Sequence, residues 1–182
     1  MTSELAQAQA SLSPPDLVQV ERHRLDDRPL QGFVVGVGSA FLMLHALSDR
    51  LDLDGYECVR LSDVSKLDRA FPRKAFYLKA LSAQNCQPIV PEGLDLTSTR
   101  ELLRSIEHRY PLVVISRELL APHECEIGRI KLTSDATYAL RMLTPEATWM
   151  HDDQVYRYDD VTRLGFAGAY ENALALVAGA AV

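Results

Sequence analysis

The sequence predicts a mainly β chain with flanking helices (α+β), built as two duplicated five-stranded small barrels. Two observations carry that prediction: one short phrase is written twice, and alternating apolar runs are separated by tight-turn chemistry. "VRLSDVSKL" spans Val59–Leu67 and "YRYDDVTRL" spans Tyr156–Leu164, with Arg60/Arg157, Asp63/Asp160, Val64/Val161 and Leu67/Leu164 identical at an offset of 97. Upstream, "LVQVER" from Leu17 matches "LVVISR" from Leu112 at an offset of 95. "GFVVGVGSAFLMLHAL" from Gly32 matches "GRIKLTSDATYALRML" from Gly128 at an offset of 96. The offset drifts only where turns are expected and the apolar rhythm persists between them, which favours a repeated fold over coincidence.

In chain order, residues 1–13 are rich in Ala, Gln and Ser and are expected to fray as a flexible N-terminus. Residues 14–83 form the first barrel. Its hairpins are expected at "GVGS" (Gly36–Ser39) and at "DLDGY" (Asp52–Tyr56), where Asp-Gly supplies the positive φ of a two-residue turn. "PRKAFYLKAL" from Pro72 closes this unit as a trailing helix or strand; its pattern admits either. Residues 84–96, centred on "NCQPIVPEG" (Asn85–Gly93) with two prolines and a glycine, form the linker. The second unit, 97–182, opens with a helix at about Ser98–Arg109. Ser98 and Glu101 make a capping box, Leu102, Leu103 and Ile106 fall at helical spacing, and Pro111 forces Tyr110 out of the α region. Five strands follow in "PLVVISR", "CEIGRIKL", "TYALRML", "QVYRYDD" and "VTRLGF", then a helix in "GAYENALALVAG". Tyr156 and Tyr158 are expected on one strand face, and the matched Val59 and Leu61 mark that face as core.

Bulk properties narrow the function classes. The 182 residues are 47% hydrophobic and 24% charged, enough for a core, and no apolar run approaches the roughly 20 residues of a membrane helix. The opening "MTSELAQAQASLSPP" has neither a basic nor an apolar leader region, so a cytoplasmic protein with no membrane partner is expected. Cys58, Cys86 and Cys125 are odd in number and lack a C-x-x-C pair, which suggests neither a disulfide framework nor a zinc site. A net charge of -6 argues against whole-surface attraction to nucleic acid.

A helix leading into a strongly bent five-stranded meander resembles the Sm-like, or more broadly SH3-like, small barrels. The resemblance covers most of the chain as architecture and is similar to that of uncharacterised bacterial proteins, for which it implies no activity. For an Sm-like protein it implies RNA binding. "TSDAT" supplies Asp135 where that family carries an acidic loop, but "RYDDVTR" has two acids where the family carries a basic or glycine-containing loop.

Among candidate sites, the repeated pairs Arg60/Asp63 and Arg157/Asp160 are first, because guanidinium groups in related positions suit an anionic ligand. An Asp capping a turn, balanced by Arg, is the competing structural role. The alternative RNA surface would use Arg129, Lys131, Arg141 and Arg163. "RLDLDGYE" fails as a calcium loop, since aligning Gly55 with the loop glycine puts Arg50 first and Leu61 last. "HECE" (His123–Glu126) lacks a second ligand pair, and "GFVVGVG" lacks the helix and Lys of a phosphate loop. No catalytic motif, metal or cofactor is predicted. The expectation is a non-enzymatic module whose partner is another protein or a second copy.

Overall fold

The computed structural model describes residues 2–10, 12 and 15–179. Its elements are α1 (Thr2–Ala10), β1 (Leu17–Arg22), β2 (Asp26–Val37), β3 (Phe41–Leu47), β4 (Leu53–Arg60), β5 (Lys66–Asp68), α2 (Lys74–Ala83), α3 (Thr99–Glu107), β6 (Val113–Ser116), β7 (Glu126–Leu132), β8 (Thr137–Leu143), β9 (Trp149–Arg157), β10 (Arg163–Phe166) and α4 (Ala169–Ala178). Short 3-10 turns at Leu61–Asp63 and Tyr158–Asp160 link β4 to β5 and β9 to β10.

The ten strands form one open antiparallel sheet in the order β5-β1-β2-β3-β4-β10-β6-β7-β8-β9. This corrects the expectation of two closed or nearly closed barrels. In neither half do the outer strands pair with each other; the outer edge of β4 is taken by β10 instead. The order nevertheless reads as one five-strand sequence followed by its counterpart, last-first-second-third-fourth in each half.

Backbone detail follows the sequence repeat. The Gly32↔Ala46 and Val34↔Leu44 pairs of β2 and β3 match Gly128↔Met142 and Ile130↔Leu140 of β7 and β8. A Cβ on Gly32 would overlap the carbonyl oxygen of His45, and one on Gly128 that of Arg141, so both strands need glycine for close backbone approach. The Ser65 hydroxyl donates to the Glu21 carbonyl (2.8 Å) and accepts the His23 amide (3.2 Å). Thr162 stands in the same relation to Ser116 (3.0 Å) and Glu118 (3.1 Å).

Several local expectations are revised. The β3–β4 hairpin turns at Ser48–Asp52, with Leu51 at φ 64°, and Asp54-Gly55 lies inside β4. Gly55 has φ +68° there, and a Cβ would strike Gly168, so it serves a close approach within the strand rather than a two-residue turn. Tyr158 sits in a 3-10 turn and not on the β9 face; it is buried beside Tyr138 at 5.5 Å between ring centroids. The segment after Pro72 is helical, and the N-terminal stretch expected to fray carries α1, whose Ala8 is buried. Ser98 caps α3 by accepting the Glu101 amide at 3.2 Å, while the Glu101 carboxylate bonds Arg104 (2.9 Å).

Two large apolar layers organise the sheet, and a third, small cluster packs Leu174 of α4 on Leu112 and Leu143. The larger combines Phe33, Met43 and Cys58 of the first half with Ile115, Ile130, Tyr138 and Leu164 of the second, covered by Leu81 of α2, Leu96, and Leu102, Leu103 and Ile106 of α3. The smaller packs Val18, Val34, Leu42, Val59 and Leu67 beneath Ala8 and Leu5 of α1. The linker is pinned to the first half: the Ile89 amide donates to His45 Nδ1 (3.1 Å), and Tyr56 donates to the Ile89 carbonyl (3.3 Å). Among the described residues no helix is long and apolar enough to cross a membrane.

Candidate functional site

The point that distinguishes this sheet is its central junction, where β4 meets β10 in the register Tyr56↔Phe166, Glu57↔Gly165, Cys58↔Leu164 and Val59↔Arg163. The two strands are more than a hundred residues apart, so side chains rather than a turn must set their register. Leu164 and Cys58 face the larger core; Glu57 and Arg163 face the opposite side.

That opposite side carries a buried polar cluster. Arg22, 1% exposed, makes a bidentate pair with Glu118 at 2.7 and 2.9 Å. Thr162 Oγ1 lies 2.7 Å from the same carboxylate, and Arg163 Nε lies 3.7 Å from Glu118 and 3.9 Å from Glu57. β1 is four strands from β10 in the sheet order, so contact between Arg22 and Glu118 means that the first half curls back toward the junction. Burial raises the Glu118 pKa, but hydrogen bonds from Arg22 and Thr162, with the charges of Arg22 and Arg163, lower it by more, leaving it below its ordinary value. Glu57 goes the other way: burial pushes it up to about 7 against the pull of Arg163 and Arg22, and its Oε2 is a buried atom without a hydrogen-bond donor among the described residues. A cavity of about 530 Å³ opens beside this cluster, lined by Asp26, Arg28, Glu118, His123, Cys125 and Arg163 among others.

The repeated Arg/Asp pairs occupy different situations. Arg60 Nε donates to Asp63 at 2.7 Å, and its Nη1 donates across the junction to the carbonyl of Asp159 at 3.1 Å; the Arg60 amide points to the Thr162 carbonyl at 3.4 Å. Arg60 is therefore a junction residue that also closes its own turn. Its counterpart Arg157 is 63% exposed and reaches Asp159 (3.3 Å) rather than Asp160. The duplicated phrase thus marks corresponding places of which one is occupied by a neighbouring strand and the other is open.

The basic residues divide similarly. Arg129 and Arg141 stand directly opposite each other on β7 and β8, with Lys131 on the same face. Arg141 is bonded to Asp153, and Arg163 is held between Glu57 and Glu118 two strands away. Two of the four are thereby committed to acids. No group of three or more His, Cys, Asp or Glu gathers as a metal site among the described residues.

Among the described residues the sheet has two edges with no further strand beside them, the three-residue β5 and the nine-residue β9. β9 is the longer and more exposed, and Val155, two residues before its end, is 63% exposed. Its charged residues Asp152 and Asp153 are the kind that discourage indiscriminate strand pairing. Repeat identities drew attention to Arg60 and Arg157 but missed Arg22, Glu57 and Glu118. For Glu57 and Glu118 the available signal lay in charges that the matched Gln154 and His23 do not carry; Arg22 is matched by Arg117, and that identity does not reveal its burial. Comparison with protein-family models, curated proteins and solved structures finds no match for this chain.

Proposed function

We propose that this protein is a tandem of two small-barrel-like units that acts by protein association rather than catalysis, through the free edge strand β9. The observation that carries the reading is Val155. An apolar side chain 63% exposed toward the C-terminal end of a nine-residue strand that is paired to β8 on one side only suits strand addition, in which main-chain hydrogen bonds give affinity and side chains give selectivity. The matched five-strand orders and the matched Ser65 and Thr162 bonds support the tandem reading. The polar cluster at the junction serves to fix the two units against each other, consistent with its burial and its internal pairing.

A photo-crosslinking residue at position 155, carried by the full chain in the cells it comes from, should give a discrete adduct. The control is the same residue at position 176 on α4, where Leu176 is 85% exposed. No adduct at 155 above that control would sink the association reading.

A further inference from the structure

The internal junction is a template for what the two free edges can do. By the repeat offset, Tyr56–Arg60 of β4 corresponds to Asp153–Arg157 of β9, and Arg163–Phe166 of β10 corresponds to Lys66–Arg69 at β5. The strand registers agree with that mapping. Cys58 pairs with Met43 as Val155 pairs with Ala139, and Leu164 pairs with Ile115 as Leu67 pairs with Val20. One half therefore presents at β9 the edge that β4 presents inside the chain, and the other presents at β5 the edge that β10 presents.

Resting on the association reading above, we propose that the occupant of β9 is β5 of a second copy of this chain, joined head to tail in the register of the internal junction. That register places Leu67 opposite Val155, as Leu164 is opposite Cys58, and sets the exposed valine at the edge of the smaller core to which Leu67 belongs. It places Arg69, held by Asp16 in its own chain, opposite Asp153, held by Arg141, so the two ion pairs meet as one group of alternating charge where the internal junction has Phe166 opposite Tyr56. It brings Arg157 to the backbone of Ser62, the counterpart of the Asp159 carbonyl that Arg60 holds. The edges carry charges of both signs: β9 has Asp152, Asp153 and Arg157, and β5 has Lys66 and Asp68, paired with each other, with Arg69 just beyond it.

The outer junction is weaker than the inner one. Where the inner junction buries Arg22 against Glu118, the matched residues are Arg117, already held by Glu126, and His23. Where it sets Glu57 beside Arg163, the matched residues are Gln154 and Lys66. A heterologous contact of this kind leaves one free edge at each end, so assembly continues to a ring or a filament.

Sedimentation of the purified full chain should show a weight-average mass that rises with concentration. Val155→Lys and Arg69→Glu should each reduce self-association by about tenfold or more. An equimolar mixture of the two variants should regain dimers and stop there, because the mixture retains one good β9 and one good β5. Circular dichroism checks that each variant is folded. As an independent measurement, Asp68→Cys with Gln154→Cys, in a Cys86→Ser, Cys125→Ser background, should form an intermolecular disulfide under mild oxidation that Asp68→Cys with Asp152→Cys does not. A wild-type chain that stays monomeric at every concentration, Arg69→Glu associating like wild type, or equal crosslinking in both registers would overturn the proposal. A monomer that still gives an adduct at position 155 of a mass other than twice the chain would leave the association reading standing and remove only the second copy.

Discussion

The two halves share a strand order and many backbone hydrogen bonds, yet they treat the same face of the sheet in opposite ways. In the first half Phe33, His45, Met43 and Cys58 lie under α2 and the segment around Leu96. In the second half the matched residues are Arg129, Arg141, Ala139 and Val155, of which Arg129 and Val155 are exposed, Arg141 is half-buried and Ala139 is buried. The register is conserved while the chemistry is reversed. The backbone pattern fixes where side chains point, and substitution at fixed places decides which surfaces become core, junction or free edge.

The sharpest way to break that comparison is at the junction cluster, where the halves are least alike. Arg22→Ala would leave Glu118 buried without its bidentate partner, and a loss of about 3–5 kcal/mol of stability in denaturant unfolding is expected. Arg22→Met with Glu118→Leu removes both charges and should recover most of that loss. If Arg22→Ala costs no more than an exposed substitution, the cluster does not hold the first half to the second.

A second, smaller test compares the matched hydroxyls. Thr162 is fully buried and serves Ser116 and Glu118, while Ser65 makes the same backbone bonds at an exposed position. Thr162→Val should cost about 1–3 kcal/mol, because the Glu118 amide and carboxylate lose a buried partner. Ser65→Ala should cost less than about 1 kcal/mol, because water can replace the hydroxyl. Equal costs in thermal or chemical unfolding would mean that burial does not separate the two sites.

What the sequence made legible was local. Alternation of apolar residues located the strands, and Ser98 located the start of α3, because both signals act over a few residues. The β4·β10 pairing was not legible, since it joins distant segments and leaves no local trace; closure of each half on itself was the simplest solution the repeat allowed. The Asp54-Gly55 turn was misplaced because positive φ serves a strand irregularity as well as a hairpin. The junction residues escaped for a different reason. A repeat draws the eye to identities such as Arg60 and Arg157, whereas Glu57 and Glu118 act through differences from Gln154 and His23, and Arg22 through a burial that its identity with Arg117 does not reveal. Arg22 and Arg117 are even the same residue type, but one is buried on Glu118 and the other lies 4.2 Å over the ring of Tyr156.

The last effect expected is a modest change of slope with pH, and it sharpens the same contrast because the second half already carries glutamine where the first carries Glu57. With a folded pKa of about 7 against an ordinary 4.5, the folded chain keeps the Glu57 proton over a range where the unfolded chain has released it. The unfolded state then binds fewer protons, so the Glu57 contribution falls as pH rises from about 4.5 to about 7. Glu118 has the opposite sign: its folded pKa lies below the ordinary value, and its contribution is present above that value and fades as pH drops through the folded one. Glu57→Gln leaves the Glu118 behaviour in place and removes the loss on the neutral side. Between pH 5 and pH 7 the variant should therefore hold stability that the wild type loses, by about 1 kcal/mol once the partial exposure of the carboxylate is allowed for. Denaturant unfolding of both chains at the two pH values measures the difference. Parallel changes in wild type and variant would show that Glu57 is ionised throughout, and that Arg163 compensates it as fully as Arg22 compensates Glu118.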